Sequence, residues 1–250
     1  MRVIALLALC CAAVAALPSS PEKIAGGNIV NISKWPASAS ISITWNSVNF
    51  NFHCAGVIIN NRSILTAAHC IYYSPSSSFR ARVGSANVNS GGSVHNINNV
   101  RYHPNYSDDS YRYDIGIIRT SSTINQSGNI RPASIAGSSY NLGDNQAVWA
   151  TGWRHSSGST NTRRLADSQM STVSRSTCNS RYSGISVSIS TDMVCTGWSN
   201  QNNNGQCNGV FGAGIYHSGT LVGVTAQCSP SRPTINTRIS SFSSWIQSNA

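Results

Sequence analysis

A histidine and an aspartate stand at the ends of two apolar stretches, where the chain could hold them for proton transfer. His69 follows the run ILTAA and precedes a cysteine, and Asp114 opens the run DIGIIR. An imidazole accepts a proton near neutral pH, and a buried carboxylate fixes its tautomer. Such a pair activates a hydroxyl, which is otherwise a poor nucleophile. These are the residue types that nucleophilic attack assisted by a general base requires, and their use depends on a fold that brings the two together.

A third stretch, CNGVFGAGI at residues 207–215, reads as a tight turn between a cysteine and an apolar strand. Together with KIAGG near the N-terminus, the three motifs in this order resemble the chymotrypsin/trypsin family of serine proteases, insect digestive ones in particular. The resemblance runs from about Ile24 to the C-terminus. It implies that His69 and Asp114 are the base and the carboxylate of a catalytic triad.

The same resemblance places Phe211 at the position of the nucleophilic serine. A benzyl side chain has no oxygen with which to attack a carbonyl, so acyl-enzyme formation there is excluded. Gly209 matches a remnant of the oxyanion hole. The nearest serine downstream is Ser218, beyond the apolar residues of the next strand. We therefore expect the site to lack a nucleophile.

Val210 occupies the place where the family carries the aspartate that receives a newly freed N-terminus. Lys23 and Ile24 resemble the activation cleavage site, but Val210 cannot pair with the ammonium that cleavage would release. A buried, unpaired ammonium costs several kcal/mol. We expect no insertion of Ile24 by the usual route, and leave open whether the bond is cut.

The substrate pocket departs from the family pattern as well. Gly205 falls where trypsins place a carboxylate at the pocket floor, so no anchor for a basic substrate residue is expected. The family's SWG stretch is replaced by Thr225, Ala226 and Gln227, with several residues fewer before Pro233. We also expect Phe211 to pack against His69 in the vacated cleft.

Short β-type runs separated by Gly, Asn, Ser and Pro predict an all-β fold. By resemblance it consists of two packed antiparallel β-barrels, the first at about residues 24–131 and the second at about 132–250. Only the tail SSFSSWIQS reads as a helix, which Ser240 or Ser241 could cap and in which Phe242, Trp245 and Ile246 share one face.

The first residues have the features of a signal peptide. Arg2 precedes an apolar run that ends in alanines, and 14 apolar residues are too few to span a bilayer, which needs about 20. We assign residues 1–16 to a signal peptide, 17–23 to a candidate pro-segment and 24–250 to the protease-homologue domain. The expected location is extracellular, with no membrane attachment.

Six cysteines remain after the signal peptide, an even number that favours disulfides in a secreted chain, although six permit 15 pairings. No C-x-x-C spacing supports zinc, and we expect neither a metal nor a cofactor. The resemblance implies the pairs Cys54–Cys70, Cys178–Cys195 and Cys207–Cys228.

The net charge is +10, with 15 arginines among the 17 basic residues and only seven acids. Such a balance could favour polyanions, but the arginines are scattered and no nucleic-acid motif accompanies them. Because arginine keeps its charge at high pH, an alkaline gut lumen is a further hypothesis. Four sequons are compatible with glycosylation: Asn31, Asn61, Asn105 and Asn125.

The sequence thus favours a secreted, monomeric serine protease homologue without peptidase activity that binds or modulates other proteins. Its protein partner is not specified by the sequence. Family membership alone suggests the alternative of an active serine endopeptidase. A second alternative, a polyanion-binding secreted module, rests on charge only.

Overall fold

The computed structural model describes residues 27–108, 110–155, 163–185, 187–197, 211–229 and 231–250. Their strands form two closed, six-stranded antiparallel barrels. The predicted all-β, two-barrel fold is confirmed. The N-terminal segments assigned above to a signal peptide and a pro-segment lie outside the described residues.

The first barrel closes in the order β2-β3-β4-β7-β6-β5. Its strands are β2 (Ser38–Ile43), β3 (Asn51–Ile58), β4 (Ser63–Thr66), β5 (Phe79–Val83), β6 (Ser93–Tyr102) and β7 (Gly116–Thr120). Strand β5 shows why these residues form a barrel wall: Phe79, Ala81 and Val83 are buried, whereas Arg80 and Arg82 between them are partly exposed. This alternation with a period of two directs one face to the core.

The second barrel closes in the order β9-β10-β11-β14-β13-β12. Its strands are β9 (Ala147–His155), β10 (Arg163–Val173), β11 (Met193–Thr196), β12 (Gly214–His217), β13 (Thr220–Ser229) and β14 (Arg232–Arg238). Two short strands flank it: β1 (Asn28–Ile29) pairs with β10, and β8 (Ser134–Ile135) runs parallel to β13. The principal core cluster contains side chains of both barrels, so the barrels pack against each other.

The C-terminal helix is present, with a different start from the one expected. Helix α2 (Ile239–Asn249) buries Phe242 and Ile246, and Trp245 packs against the same core. It begins directly after β14 with Arg238 at the N-cap position and no side-chain cap. The expected cap at Ser240 or Ser241 was wrong, because Ile239 is already helical and fully buried.

A second helix, α1 (Arg175–Arg181), was not expected from the sequence. Its segment has no apolar periodicity. The Ser174 hydroxyl accepts a hydrogen bond from the Thr177 N–H at 3.2 Å, which caps the first turn. Cys178 on this helix is bonded to Cys195 on β11.

Two predicted disulfides, Cys54–Cys70 and Cys178–Cys195, are formed. Cys228 is disulfide-bonded, and its predicted partner Cys207 lies outside the described residues. In the part of the chain that the structure describes, no helix is both long and apolar enough to cross a membrane.

Candidate active site

The register of one strand pair brings the predicted base and carboxylate together. Strands β4 and β7 are antiparallel, and Thr66 at the end of β4 pairs with Gly116 at the start of β7. His69 lies three residues after Thr66, and Asp114 lies two residues before Gly116. Both therefore leave the barrel at the same edge. A short 3-10 turn at Ala68–Cys70 then turns the chain at His69.

Asp114 holds His69 with both carboxylate oxygens. Its Oδ2 lies 2.7 Å from His69 Nδ1, and its Oδ1 accepts the main-chain N–H of His69 at 2.9 Å. Asp114 is 1% exposed. The Thr237 hydroxyl on β14 donates to the main-chain carbonyl of Asp114 at 2.7 Å, so the second barrel also fixes the aspartate. With Nδ1 donating to the carboxylate, Nε2 is left as the proton acceptor of the pair.

The far side of the imidazole meets a phenyl ring. The rings of His69 and Phe211 are 5.2 Å apart between centroids and nearly perpendicular, at 88°. The predicted contact between Phe211 and His69 is present, although it leaves 30% of the His69 side chain exposed. His69 Nε2 lies 3.6 Å from Cys70 Sγ. Among the described residues, no serine hydroxyl is hydrogen-bonded to His69.

The main chain fixes Phe211 in this position. Its carbonyl accepts the Ala55 N–H at 2.8 Å, and the next residue, Gly212, donates to the Thr225 carbonyl at 2.9 Å. Gly212 has φ +76°, and a Cβ there would lie 2.2 Å from the Ala55 oxygen and 2.3 Å from Thr66 Oγ1. Only glycine fits this place. A side chain at position 212 would therefore displace the main chain that holds Phe211 beside His69.

Ser218, the nearest downstream serine, does not replace it. Strand β12 (Gly214–His217) carries the chain away from the site, and Ser218 lies exposed in the turn that follows. Four strand residues span roughly 13 Å. Ser218 is thus at the far end of the β12–β13 hairpin.

Several residues predicted for this site lie outside the described residues: Gly205, Cys207, Gly209, Val210, Lys23 and Ile24. The remaining pocket candidates lie on β13. Thr225 and Ala226 are each 2% exposed, and the β13–β14 register shifts between Thr225 and Gln227. The Thr225 hydroxyl donates to Asn236 Oδ1 at 3.0 Å within the barrel. This side chain is therefore part of the core network.

A metal ion has no free thiolate to bind at this place. The ligand atoms of Cys54, His69 and Cys70 lie within 4.8 Å of one another. The two sulfurs, however, are joined in a disulfide.

Sequence reasoning missed a carboxylate beside the pair. Asp108 accepts hydrogen bonds from the phenols of Tyr106, at 2.5 Å, and of Tyr73. These two hydrogen bonds lower the pKa of Asp108, and nearby His69 lowers it further. Burial and the bond to Asp108 raise the pKa of Tyr106. The signal available in the sequence is the concentration of tyrosine next to the two motifs: six of the nine tyrosines lie in residues 72–73 and 102–113.

Known proteins share this fold and much of this sequence. In solved structures, neuropsin, a serine protease of mouse brain, matches with a TM-score of 0.75 and 24% identity over 89% of this chain and 97% of its own. The scabies mite inactivated protease paralogue S-I1 matches with a TM-score of 0.76 and 22% identity over 89% of this chain and 97% of its own. Identities this low support the fold alone.

Closer relatives are named as trypsins. The chain is 44% identical over 252 residues to "Trypsin, alkaline B" of Manduca sexta, covering 99% of this chain and 98% of the relative. It is 43% identical over 256 residues to "Trypsin CFT-1" of Choristoneura fumiferana, covering 100% of both. The family model described as Trypsin matches residues 24–246. The chain therefore belongs to the trypsin family of serine proteases.

Proposed function

We propose that this protein is a secreted trypsin-family homologue that does not cleave peptide bonds and acts by binding other proteins. The observation that carries the proposal is the phenyl ring of Phe211 against the imidazole of His69, 5.2 Å between centroids. An imidazole held by a carboxylate can accept a proton, but acyl transfer also requires an oxygen or sulfur nucleophile. Phe211 offers neither.

The substitution at the neighbouring position supports the same proposal. By family resemblance, the residue before the nucleophile is the aspartate that pairs with the new N-terminus after cleavage, and here it is Val210. A valine cannot compensate a buried ammonium. The ion pair that would order an oxyanion hole therefore has no acceptor at this position, even if the Lys23–Ile24 bond is cut.

The names of the relatives favour a second candidate, an active serine endopeptidase. The relatives at 43–44% identity are called trypsins. This candidate needs a nucleophile within reach of His69 Nε2. The fold does not decide between the two, because its structural neighbours include both a serine protease and a paralogue described as inactivated.

The proposed location is extracellular. The signal-like N-terminal segment and the sequence-local disulfides support it, since disulfides persist in oxidising compartments. An alkaline gut lumen remains the more specific hypothesis. The relative named "Trypsin, alkaline B" is in keeping with it.

Peptide turnover distinguishes the two candidates. The full-length protein would be cut after Lys23 and assayed against a library of fluorogenic peptides. The same protein carrying His69→Ala, cut identically, measures any contaminating protease. We expect no turnover above this control. Turnover that is lost with His69→Ala would support the active endopeptidase and contradict the proposal.

A further inference from the structure

Two segments beside the His69–Asp114 pair form a rim of aromatic rings around one carboxylate. The first follows His69 directly, and the second precedes Asp114 in the chain. We call the group the tyrosine–aspartate rim, and it comprises Tyr72, Tyr73, Tyr102, Tyr106 and Asp108. Apart from their closeness to the pair, none of these residues contributes to the triad geometry described above.

Tyr72 is the centre of the rim. Its ring meets those of Tyr73, Tyr102 and Tyr106 at centroid distances of 4.6, 4.8 and 5.1 Å, each close to edge-on at 72–80°. Edge-to-face packing at these distances is favourable because ring edges are positive and ring faces negative. The four rings therefore support one another as a packed group.

Asp108 is bound symmetrically by two phenols. Tyr106 donates to Oδ1 and Tyr73 donates to Oδ2. A carboxylate has about four acceptor sites, two on each oxygen. Each oxygen of Asp108 therefore keeps one acceptor site, and the residue is exposed. The result is a pair of adjacent acceptors that face solvent.

The outer part of the rim is exposed and yet ordered. Tyr73 is 77% exposed and Tyr102 is 38% exposed. The hydroxyl of Tyr73 is held by Asp108 and its ring by Tyr72, so little side-chain freedom remains to be lost on binding. Exposed, preorganised tyrosines are typical of strong contacts in protein interfaces.

We infer that the tyrosine–aspartate rim binds an arginine side chain of a protein partner. A guanidinium is a planar fork whose parallel N–H groups match the two carboxylate oxygens, and its face stacks on aromatic rings. The remaining acceptor sites of Asp108 supply the first contact, and the ring of Tyr73, a residue that is 77% exposed, supplies the second. A lysine ammonium lacks the fork. This inference rests on the proposed function, because it names the kind of partner that a binding protein would hold at this face.

The net charge of +10 does not oppose such binding at short range. The Debye length is about 8 Å at physiological ionic strength, so exposed arginines farther away are largely screened. Asp108 would touch the ligand directly. The rim also differs from a trypsin specificity pocket, whose carboxylate position is occupied by Gly205 in this sequence.

Calorimetric titration of the full-length protein tests the inference. The probes are N-acetyl-Gly-Arg-Gly-amide and the same peptide with citrulline, which is neutral and nearly isosteric. We expect the arginine peptide to bind more tightly. Asp108→Asn should weaken its binding by about tenfold, since hydrogen bonds between charged groups are strong. Tyr73→Ala should weaken it by about two- to fivefold, the range of an exposed cation–π contact.

Asp144→Asn is the matched control, because it removes an exposed carboxylate of the second barrel. It should leave the affinity unchanged. Equal affinity for the arginine and citrulline peptides, no binding of either, or a loss in Asp144→Asn as large as in Asp108→Asn would overturn the inference. The peptide comparison needs no variant and does not depend on variant folding. Peptide turnover is measured separately, so failure of the rim and failure of the proposed function are distinguishable.

Discussion

Replacing Gly212 by alanine tests whether the main chain fixes Phe211 against His69. A left-handed φ of +76° costs an alanine about 1–2 kcal/mol. The new Cβ would also lie 2.2 Å from the Ala55 oxygen, which already accepts the Thr66 hydroxyl at 2.8 Å. Moving these atoms apart breaks a buried hydrogen bond, worth about 1–3 kcal/mol when a partner is left unsatisfied. We expect Gly212→Ala to lower the free energy of unfolding by about 4 kcal/mol.

Gly219→Ala is the matched control for the backbone cost. Gly219 has φ +79°, but no atom lies within 4 Å of its ideal Cβ. This variant should lose only about 1–2 kcal/mol. Guanidinium denaturation of both variants gives the difference. Equal losses would mean that Gly212 is not packed as described, and that its close packing does not hold Phe211 in place.

Three further predictions concern the site and the stability of the fold. Phe211→Ser alone should give no peptide turnover, and adding Val210→Asp should restore little, because the pocket remains altered; robust turnover by the single variant would contradict the role given to Val210. Burial lowers the pKa of His95, so the unfolded state binds the proton more readily. The contribution of neutral His95 to the free energy of unfolding should therefore be fully present above about pH 6.5 and be lost as the pH drops below it. Thermal unfolding between pH 7.5 and 5 should show a smaller decline in His95→Gln, and an unchanged decline would refute this assignment. Burial raises the pKa of Tyr182 to about 12, so the protein should stay folded to pH 10 and lose stability above it, where unfolded tyrosines ionise. Circular dichroism with absorbance at 295 nm measures both effects, and unfolding or precipitation by pH 10 would contradict the prediction and weaken the alkaline-lumen hypothesis.

The meeting of His69 and Asp114 was predictable because each is tied to a strand by a short motif. Thr66 pairs with Gly116 on the neighbouring strand. His69 is only three residues after Thr66, and Asp114 is only two residues before Gly116. These short connections leave little freedom in the distance between the two side chains. The contact of Phe211 with His69 was predictable for the same reason. The glycine after Phe211 permits the left-handed turn and the close approach to Ala55 that place the phenyl ring beside His69.

The tyrosine–aspartate rim was not predictable, although its tyrosines are conspicuous in the sequence. Its members come from two segments separated by about thirty residues, and their contacts depend on how the irregular loops fold over the barrel edge. Helix α1 was missed because its residues lack an apolar stripe, and a serine cap and a disulfide stabilise it instead. A local sequence pattern predicts neither contacts between distant loops nor a helix that depends on a cap and a disulfide.

The structure gives a second reason for the excess of arginine over lysine, in addition to the alkaline-lumen hypothesis. Several guanidinium groups donate to main-chain carbonyls of distant segments: Arg62 to Thr120, Arg119 to Ala250 and Arg238 to Leu142. A fork of several donors can bridge loops in this way, which a lysine ammonium does less well. Because these guanidinium groups serve contacts within the fold, we expect polyanion binding to be weak despite the charge. Heparin chromatography checks this, and we expect elution at low salt with a shallow salt dependence.

Covalent labelling shows whether a nucleophilic serine accompanies the His69–Asp114 pair. The protein, cut after Lys23, would be treated with a fluorophosphonate and mapped by mass spectrometry beside its His69→Ala variant. We expect no serine adduct in either protein. A serine adduct that forms with His69 present and is absent from His69→Ala would contradict this expectation.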